Sequence, residues 1–355
     1  SYIAPTRSKK LKKLFMIAYS LIQAWGWSYF FYIARKEWKD KGFSIFYPDQ
    51  KPVSLFNRIS FQEHYEKYLK VIEEKFSKKF SNSNSPQIIF LVYYESDQLE
   101  NLKSILKSFL DQSFDKWNLV LISKNNEHVD SSLLPQDKRI SLISNPDIKT
   151  ISDKIDSLEY DFLGLLDSNV ILPSYSLQAF VEFLKKNPNS NIFYSDHDTI
   201  DKNGKRFNPF FKPDWSLTTF LSFDYISSLY IVKKDLVQKI LKNKILNDFS
   251  FDFLLRCISS SDVITHVPEP LYSKITSNSL STNEYKKNIL TKYVQENNID
   301  AKIENGILPD TFRIHYNLKS QPKVSIFIPT KNNRQLLQRC IKSIEKNTHY
   351  KNIEI

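Results

Sequence analysis

The stretch "GLLDSNVILP", residues 164 to 173, contains two neighbouring side chains that are suited to bind a cation. Asp167 supplies a carboxylate at the end of an apolar run, and Asn169 supplies a neutral amide oxygen two residues later. Hard divalent cations such as Mg²⁺ and Mn²⁺ prefer oxygen ligands of these kinds. Three interpretations are open: a metal site, a metal site that has lost half of its ligands, and a turn that contains Asp and Asn.

The elements around this pair alternate between strands and helices. Apolar runs predict strands at residues 87 to 94, 117 to 123, 140 to 144 and 161 to 167. Apolar residues at helical spacing predict helices at residues 97 to 112, 148 to 158 and 174 to 186. This alternation is typical of an α/β fold in which helices cover a parallel sheet. Ligands of such sheets bind at the carboxyl ends of the strands, which is where Asp167 is expected to lie.

Composition narrows the classes of protein to consider. The chain has 355 residues, of which 41% are hydrophobic, so it can bury at least one sizeable core. The net charge of +11 favours an anionic partner such as a nucleotide diphosphate or a lipid headgroup. With five glycines, the sequence contains no glycine-rich phosphate loop. Cys257 and Cys340 lie far apart without metal-ligand spacing, which argues against a disulfide framework or a zinc site and fits a reducing cytoplasm.

The N-terminal region, residues 1 to 85, is predicted to be helical and to end in a linker. Basic residues flank the uncharged, aromatic-rich run Leu14 to Ala34 within residues 9 to 36. Two interpretations of this run are open: an amphipathic helix on a membrane surface, and a helix buried against the rest of the protein. Residues 61 to 80 predict a charged, solvated helix, and "SNSNSP" at 81 to 86 predicts the linker.

The sequence also contains an internal repeat. "PQIIFLVYY", which begins at Pro86, and "PKVSIFIPTKN", which begins at Pro322, open two similar stretches in which Leu119 aligns with Ile355. Both have a proline, an apolar strand, a polar loop, a helix and a second strand. We therefore expect one nearly complete domain followed by the start of a second, truncated copy.

The most specific stretch is "NIFYSDHDTIDKNGKRFNPFFKPDWS", residues 191 to 216. Together with the repeat, it resembles family 2 glycosyltransferases of the GT-A fold, in the tandem-module arrangement of bacterial polysaccharide and O-antigen synthesis. The resemblance implies an α/β fold with a Rossmann-like mixed sheet flanked by helices, after the N-terminal helical region. The expected modules are residues 86 to 320, a first glycosyltransferase-like module, and residues 321 to 355, the start of a second.

The resemblance implies transfer of a sugar, typically a hexose, from a nucleotide-diphosphate donor to a glycan or lipid-linked acceptor in cell-envelope polysaccharide synthesis. Such enzymes use Mg²⁺ or Mn²⁺ to neutralise the leaving diphosphate, and a carboxylate as base. Asp167 and Asn169 take the metal position, where the family has two carboxylates, so metal affinity should be weakened. The expected donor contacts are Tyr94, Glu95, Lys124, Asp196 and Asp198.

The family's acidic pair that supplies the base is replaced by Phe249 and Ser250. Asp248 and Asp252 are the remaining base candidates, and Ser273 stands where many members have a histidine.

Several of these residues have a structural alternative. Asp196 and Asp198 are equally suited to anchor the hairpin from Lys205 to Lys212 through charge and hydrogen bonds. Asp252 is placed to pair with Arg256 at i to i+4 on a helix surface, and Asp248 suits a helix N-terminus. His197 and His266 are typical of polar surface or of satisfied core positions.

Two functions therefore remain in competition. One is an active transferase located in the cytoplasm, at the inner face of the bacterial membrane. The other is a catalytically degenerate module that holds the membrane, the acceptor glycan or the second module. A nucleic-acid-binding function is not expected, because no helix concentrates the positive charge and no recognition module is present in the sequence.

Overall fold

Among the residues that it describes, the computed structural model contains a mixed β-sheet of nine strands. The structure describes residues 61–77, 85–94, 99–123, 134–242, 246, 249–275 and 283–355. The predicted membrane-contact segment 9–36 and three predicted site residues, Glu95, Lys124 and Asp248, lie outside the described residues. In the described part of the chain, no helix combines the length and the apolar composition that a membrane span requires.

The helices are α1 Phe61–Phe76, α2 Leu99–Leu110, α3 Ile148–Asp156, α4 Ser176–Lys186, α5 Leu217–Ser222, α6 Lys234–Lys242, α7 Phe251–Ser259, α8 Asn283–Glu296 and α9 Arg334–Asn347. The strands are β1 Ile88–Tyr94, β2 Trp117–Ser123, β3 Ile140–Ser144, β4 Phe162–Leu166, β5 Val170–Ile171, β6 Ile192–Ile200, β7 Arg206–Phe210, β8 Leu229–Lys233, β9 Ile264–Ile275, β10 Ala301–Asn305, β11 Phe312–Tyr316, β12 Val324–Ser325 and β13 Ile353–Glu354. Each strand and helix predicted between residues 87 and 186 is present, with ends within two residues of the prediction.

The main sheet has the strand order β3-β2-β1-β4-β8-β6-β9-β5, and β7 pairs with β6. Strands β3, β2, β1 and β4 are parallel to one another, and β8 runs antiparallel to both β4 and β6. Strand β9 is parallel to β6, whereas β5 and β7 are antiparallel to their neighbours. The prediction of an α/β protein with a mixed sheet flanked by helices is confirmed.

Close packing between β1, α2 and β4 forms the core beneath the first strands. The ring of Phe90 lies 5.1 Å from that of Phe109 on α2, which in turn lies 5.3 Å from the indole of Trp117. On the neighbouring strand β4, Gly164 lies directly opposite Phe90 in the register. A Cβ atom at Gly164 would lie 2.4 Å from this ring, so the close approach of β4 to Phe90 requires glycine.

Helix α1 was predicted to be solvated, but one of its faces is buried. Four residues at spacings of three or four, Tyr65, Tyr68, Ile72 and Phe76, are buried in the same core as β1 and β2. Such spacing gives an apolar stripe along one helix face. The prediction was wrong because the charged residues of the other faces dominate the composition of this segment.

The chain divides into two compact units. The first contains the main sheet and consists of the described residues of Ser1–Trp215, Ile226–Leu246 and Cys257–Asn278. The second consists of the described residues of Ser216–Tyr225, Asn247–Arg256 and Ser279–Ile355. The module boundaries expected at residues 85 and 320 stay predictions.

The second unit contains a small copy of the pairing at the start of the first. Strands β12 and β13 are parallel and are joined through α9, as β1 and β2 are joined through α2. The pairs Ile88 with Trp117 and Val324 with Ile353 both join residues 29 positions apart, since 117 − 88 equals 353 − 324. This equal spacing is the one that the alignment of the two stretches predicts, and the tandem-module arrangement stays a prediction.

Candidate functional site

The predicted cation-binding pair lies in a turn at the carboxyl end of β4. The backbone N–H of Asp167 donates to the carbonyl of Ser228 at 3.0 Å, and Val170 N–H donates to the carbonyl of Asp167 at 3.2 Å. Asp167 is exposed at the end of the strand. The position expected from the sequence, the carboxyl edge of the sheet, is therefore the one observed.

The sheet curls so that its far edge returns to this turn. In a flat sheet four strand spacings, about 19 Å, would separate β4 from β5 in the observed order. The segment from Leu166 to Val170 that joins these strands can reach at most about 14 Å. The sheet must therefore bend, and it brings the end of β9 next to the turn, where Ile275 N–H donates to the carbonyl of Asn169 at 2.7 Å.

Tyr94, a predicted donor contact, lies at the same edge. Strands β1 and β4 pair in parallel with Val92 opposite Leu166, so Tyr94 extends to the level of the turn. Its side chain is buried, with 3% of its surface exposed. Tyr94, Asp167 and Asn169 thus lie at the same edge of the sheet.

The turn offers two oxygen ligands to a cation. The side-chain oxygen Oδ1 of Asn169 is buried and has no hydrogen-bond partner in the described part of the chain. Burying an amide oxygen without a partner costs about 1–3 kcal/mol, which a cation or a water molecule bound there would offset. Among the described residues no group of three or more His, Cys, Asp or Glu side chains is arranged to hold a metal. The residues fit a divalent cation only if a ligand, such as a phosphate, supplies the remaining oxygens.

Asp198 anchors the β6–β7 hairpin and helix α1. It is fully buried, and its Oδ2 accepts a hydrogen bond from the hydroxyl of Tyr65 at 2.5 Å and one from Nε of Arg206 at 2.7 Å. The same guanidinium donates to the hydroxyl of Tyr175 and to the carbonyl of Pro270, both at 2.8 Å. Burial raises the pKa of Asp198, and the attraction of Arg206 partly offsets that effect.

Asp196 anchors the segment that follows the hairpin. Its Oδ1 accepts the backbone N–H of Lys212 at 2.7 Å and lies 2.8 Å from Nε2 of His266. The other ring nitrogen, Nδ1, lies 3.1 Å from the carboxylate of Asp214. The imidazole of His266 also stacks on Tyr194, with the ring planes 14° apart.

These bonds support the anchoring alternative for Asp196 and Asp198. Both lie in the interior, with 1% and 0% of their surface exposed, so neither offers surface to a donor. The bond to Arg206 belongs to the predicted anchoring of the hairpin from Lys205 to Lys212. Tyr65 and Tyr175 had no signal in the sequence as partners, because Tyr65 lies 133 residues from Asp198 and Tyr175 lies 31 residues from Arg206.

Asp252, a predicted base, forms the expected ion pair with Arg256. Its Oδ1 accepts a hydrogen bond from Nε at 3.0 Å, with the two residues at i and i+4 of α7. The pair was predicted on a helix surface, but only 6% of the Asp252 side chain is exposed. The reason is that α7 is buried around most of its circumference, including Phe251, Phe253, Leu254 and Leu255. A base must reach a substrate hydroxyl, and this burial does not favour that role.

A cluster of basic side chains near the turn was not predicted. His197 stacks on Tyr272, with ring centroids 5.0 Å apart, and Nζ of Lys212 donates to the hydroxyl of Tyr272 at 2.8 Å. Burial, reinforced by the charges of Lys212 and Lys274, lowers the pKa of His197 to about 2. Its imidazole is therefore neutral at ordinary pH. The alternation in "YSK" along β9 was the one signal in the sequence that Tyr272 and Lys274 share a face.

The sequence is similar to two curated proteins. It is 27% identical over 206 residues to the O-antigen biosynthesis protein RfbC of Myxococcus xanthus, a match that covers 55% of this chain. It is 26% identical over 295 residues to the uncharacterized protein y4gI of Sinorhizobium fredii, which covers 77% of this chain. The matched parts amount to 16% and 32% of the length of these relatives. The first relative agrees with the resemblance to proteins of O-antigen assembly, and no family model matches the chain.

Solved structures give a more distant likeness. S. aureus TarS 1–349 in complex with UDP-GlcNAc superimposes with a TM-score of 0.44 at 13% identity, covering 59% of this chain and 66% of that one. A further structure of S. aureus TarS gives a TM-score of 0.39 at 15% identity, covering 59% and 43%. TM-scores of this size support no inference about the site or its ligands.

Proposed function

We propose that this chain is a glycosyltransferase-family protein of cell-surface polysaccharide synthesis that transfers a sugar from a nucleotide-diphosphate donor to a growing glycan. The observation that carries the proposal is its similarity over 206 residues to an O-antigen biosynthesis protein. The exposed carboxylate of Asp167 at the carboxyl edge of a curled α/β sheet is the feature of the chain that suits this function.

Asp167 and Asn169 would hold the divalent cation, Mg²⁺ or Mn²⁺. When bound, the cation supplies positive charge to the diphosphate that leaves the sugar. Asp167 contributes the negative charge that attracts the cation, and Asn169 contributes a buried oxygen that has no other partner in the described residues. Tyr94 lies at the same edge of the sheet, at the end of β1.

The test is calorimetric titration of the full chain with UDP in the presence of Mn²⁺. The wild type is expected to bind UDP, and Asp167→Ala is expected to abolish the Mn²⁺-dependent part of this binding because it removes the only charged ligand of the predicted pair. Asp153→Ala, which removes an exposed carboxylate on α3, serves as the matched control and should leave binding unchanged. Absence of UDP binding by the folded wild type would contradict the proposal.

A second candidate function is a catalytically degenerate scaffold. The observation that favours it is the burial of Asp196, Asp198 and Asp252 in contacts with other side chains. A scaffold of this kind would bind acceptor glycan without releasing nucleotide from a UDP-sugar. Turnover of UDP-sugar by the wild type, lost in Asp167→Ala, would exclude it.

For the cellular location we propose the cytoplasm, at the inner face of the bacterial membrane through residues 9–36. Deleting Leu14 to Ala34 is expected to release the protein from anionic liposomes in a flotation assay, since the basic and aromatic residues of this segment suit a membrane surface. Unchanged association after the deletion would contradict membrane contact through this segment.

A further inference from the structure

Strand β9 ends with side chains that alternate between the two faces of the curled sheet. Ser273 lies directly opposite Asp198, on the face where Tyr65 of α1 also bonds to Asp198, and it is 1% exposed. Lys274 lies on the other face, opposite Thr199 of β6 on one side and Val170 of β5 on the other. Lys274 is only partly buried, so this face is the more open of the two.

Lys274 lies close to the predicted cation-binding turn. Its register partner Val170 closes that turn through the hydrogen bond to the carbonyl of Asp167. The next residue, Ile275, donates its N–H to the carbonyl of Asn169. The end of β9 is therefore fixed to the turn by backbone contacts on both sides of Lys274, and a cationic side chain lies beside the place where the family resemblance expects a second carboxylate.

His197 shares the face of Lys274. It lies two residues before Thr199 on β6 and opposite Tyr272 on β9. Its ring nitrogen Nδ1 is buried and has no hydrogen-bond partner among the described residues. A neutral imidazole that carries its proton on Nδ1 can donate to an oxygen of an anion. Lys274 and His197 thus place one charged and one neutral donor group on the same face.

The charges at the turn indicate a role for the ammonium group of Lys274. A neutral amide at position 169 holds a divalent cation less strongly than a carboxylate would. A diphosphate bound there has less metal charge to neutralise it, and an ammonium group supplies positive charge directly through hydrogen bonds to phosphate oxygens.

We propose that Lys274, assisted by His197, binds the phosphate groups of a nucleoside diphosphate next to Asp167 and Asn169, so that donor binding depends only in part on a divalent cation. This inference rests on the proposed function, because it concerns the donor of that same site. Neither the sequence motifs nor the family resemblance assigned Lys274 a role in ligand binding.

The experiment is calorimetric titration of the full chain with UDP, once with Mn²⁺ and once with EDTA. The wild type is expected to keep measurable binding in EDTA. Lys274→Ala should weaken binding in EDTA by about tenfold or more, the loss of one charge-assisted contact to phosphate. The loss of UDP affinity in Lys274→Ala should be smaller in the presence of Mn²⁺. Lys274→Arg should retain most of the affinity because it keeps the positive charge.

Lys233→Ala is the matched control. Lys233 is also a partly buried lysine at a strand end, but it lies opposite Phe162 at the amino end of β4, where its Nζ donates to the carbonyl of Pro188. Its removal should leave UDP affinity unchanged. Equal UDP affinity of wild type and Lys274→Ala in EDTA would overturn the inference, as would binding by the wild type that requires Mn²⁺ completely. Absence of UDP binding in both conditions would contradict the proposed function itself.

Discussion

The hydroxyl of Tyr65 donates a 2.5 Å hydrogen bond to the carboxylate of Asp198, across 133 residues of sequence. This contact joins helix α1 to strand β6 in the part of β6 that extends beyond its pairing with β8 and pairs with β7 and β9. Helix α1 is therefore part of the structure that supports the candidate site. We expect loss of the Tyr65–Asp198 contact to affect the end of β6 as well as the N-terminal region.

Replacing Tyr65 with Phe should lower the free energy of unfolding by about 1–3 kcal/mol, because the buried Asp198 then loses one of its donors. Urea denaturation measures the change. Tyr285→Phe is the control, since that side chain is 40% exposed and its hydroxyl contacts Ser250 near the surface. If the two variants lose equal amounts of stability, the Tyr65 contact has no special role.

Replacing Gly164 with Ala should destabilise the protein by about 1–3 kcal/mol through overpacking against Phe90. The same change in a Phe90→Leu background should cost less, because the smaller side chain leaves room for the added methyl group. Thermal or urea unfolding of the four proteins gives the coupling between the two positions. Additive effects would contradict a direct clash.

The sequence predicted the first half of the sheet well and the candidate site only in part. Strands such as β1 and β2 are continuous apolar runs, so their burial is visible without any partner. The stripe of Tyr65 and Ile72 on α1 was hidden among charged residues. The bond from Tyr65 to Asp198 depends on the packing of α1 against β6, which no local pattern shows. Lys274 was missed because its importance comes from the curl of the sheet, which places β5 beside β9.

Replacing Asn169 with Asp should strengthen UDP binding in the presence of Mn²⁺ by about tenfold, since a second carboxylate adds charge to the cation-binding turn. In EDTA the same substitution should weaken binding, because the added negative charge repels the diphosphate. Calorimetry under both conditions measures the two effects. Asn187→Asp is the control, since Asn187 follows the end of α4 and precedes Pro188, whose carbonyl accepts a hydrogen bond from Lys233 at the amino end of β4. If Asn169→Asp changes the UDP affinity in the same direction with Mn²⁺ and with EDTA, the result would argue against a cation at this turn.

His197 should make the protein less stable as the pH falls below 6.5. The unfolded chain takes up a proton near that value, whereas the folded protein does not until the pH reaches about 2. The unfolded state therefore binds more protons between these limits, and stability decreases by up to about 1.4 kcal/mol for each pH unit in this window.

His197→Gln should flatten this pH dependence, as measured by urea unfolding at several pH values between 7 and 4. His349→Gln, at an exposed histidine in the second unit, should leave the pH dependence as in the wild type. A wild-type His197 ring that titrates near its ordinary pKa in an NMR experiment would contradict the prediction.

The most direct test of the proposed site is a crystal structure of the full chain with UDP and Mn²⁺, in which the anomalous signal locates the metal. We expect a manganese peak within coordination distance of the side-chain oxygens of Asp167 and Asn169, with the diphosphate between that ion and Lys274. A manganese ion and UDP bound elsewhere on the chain, or crystals that bind UDP with no density at the carboxyl end of β4, would contradict it.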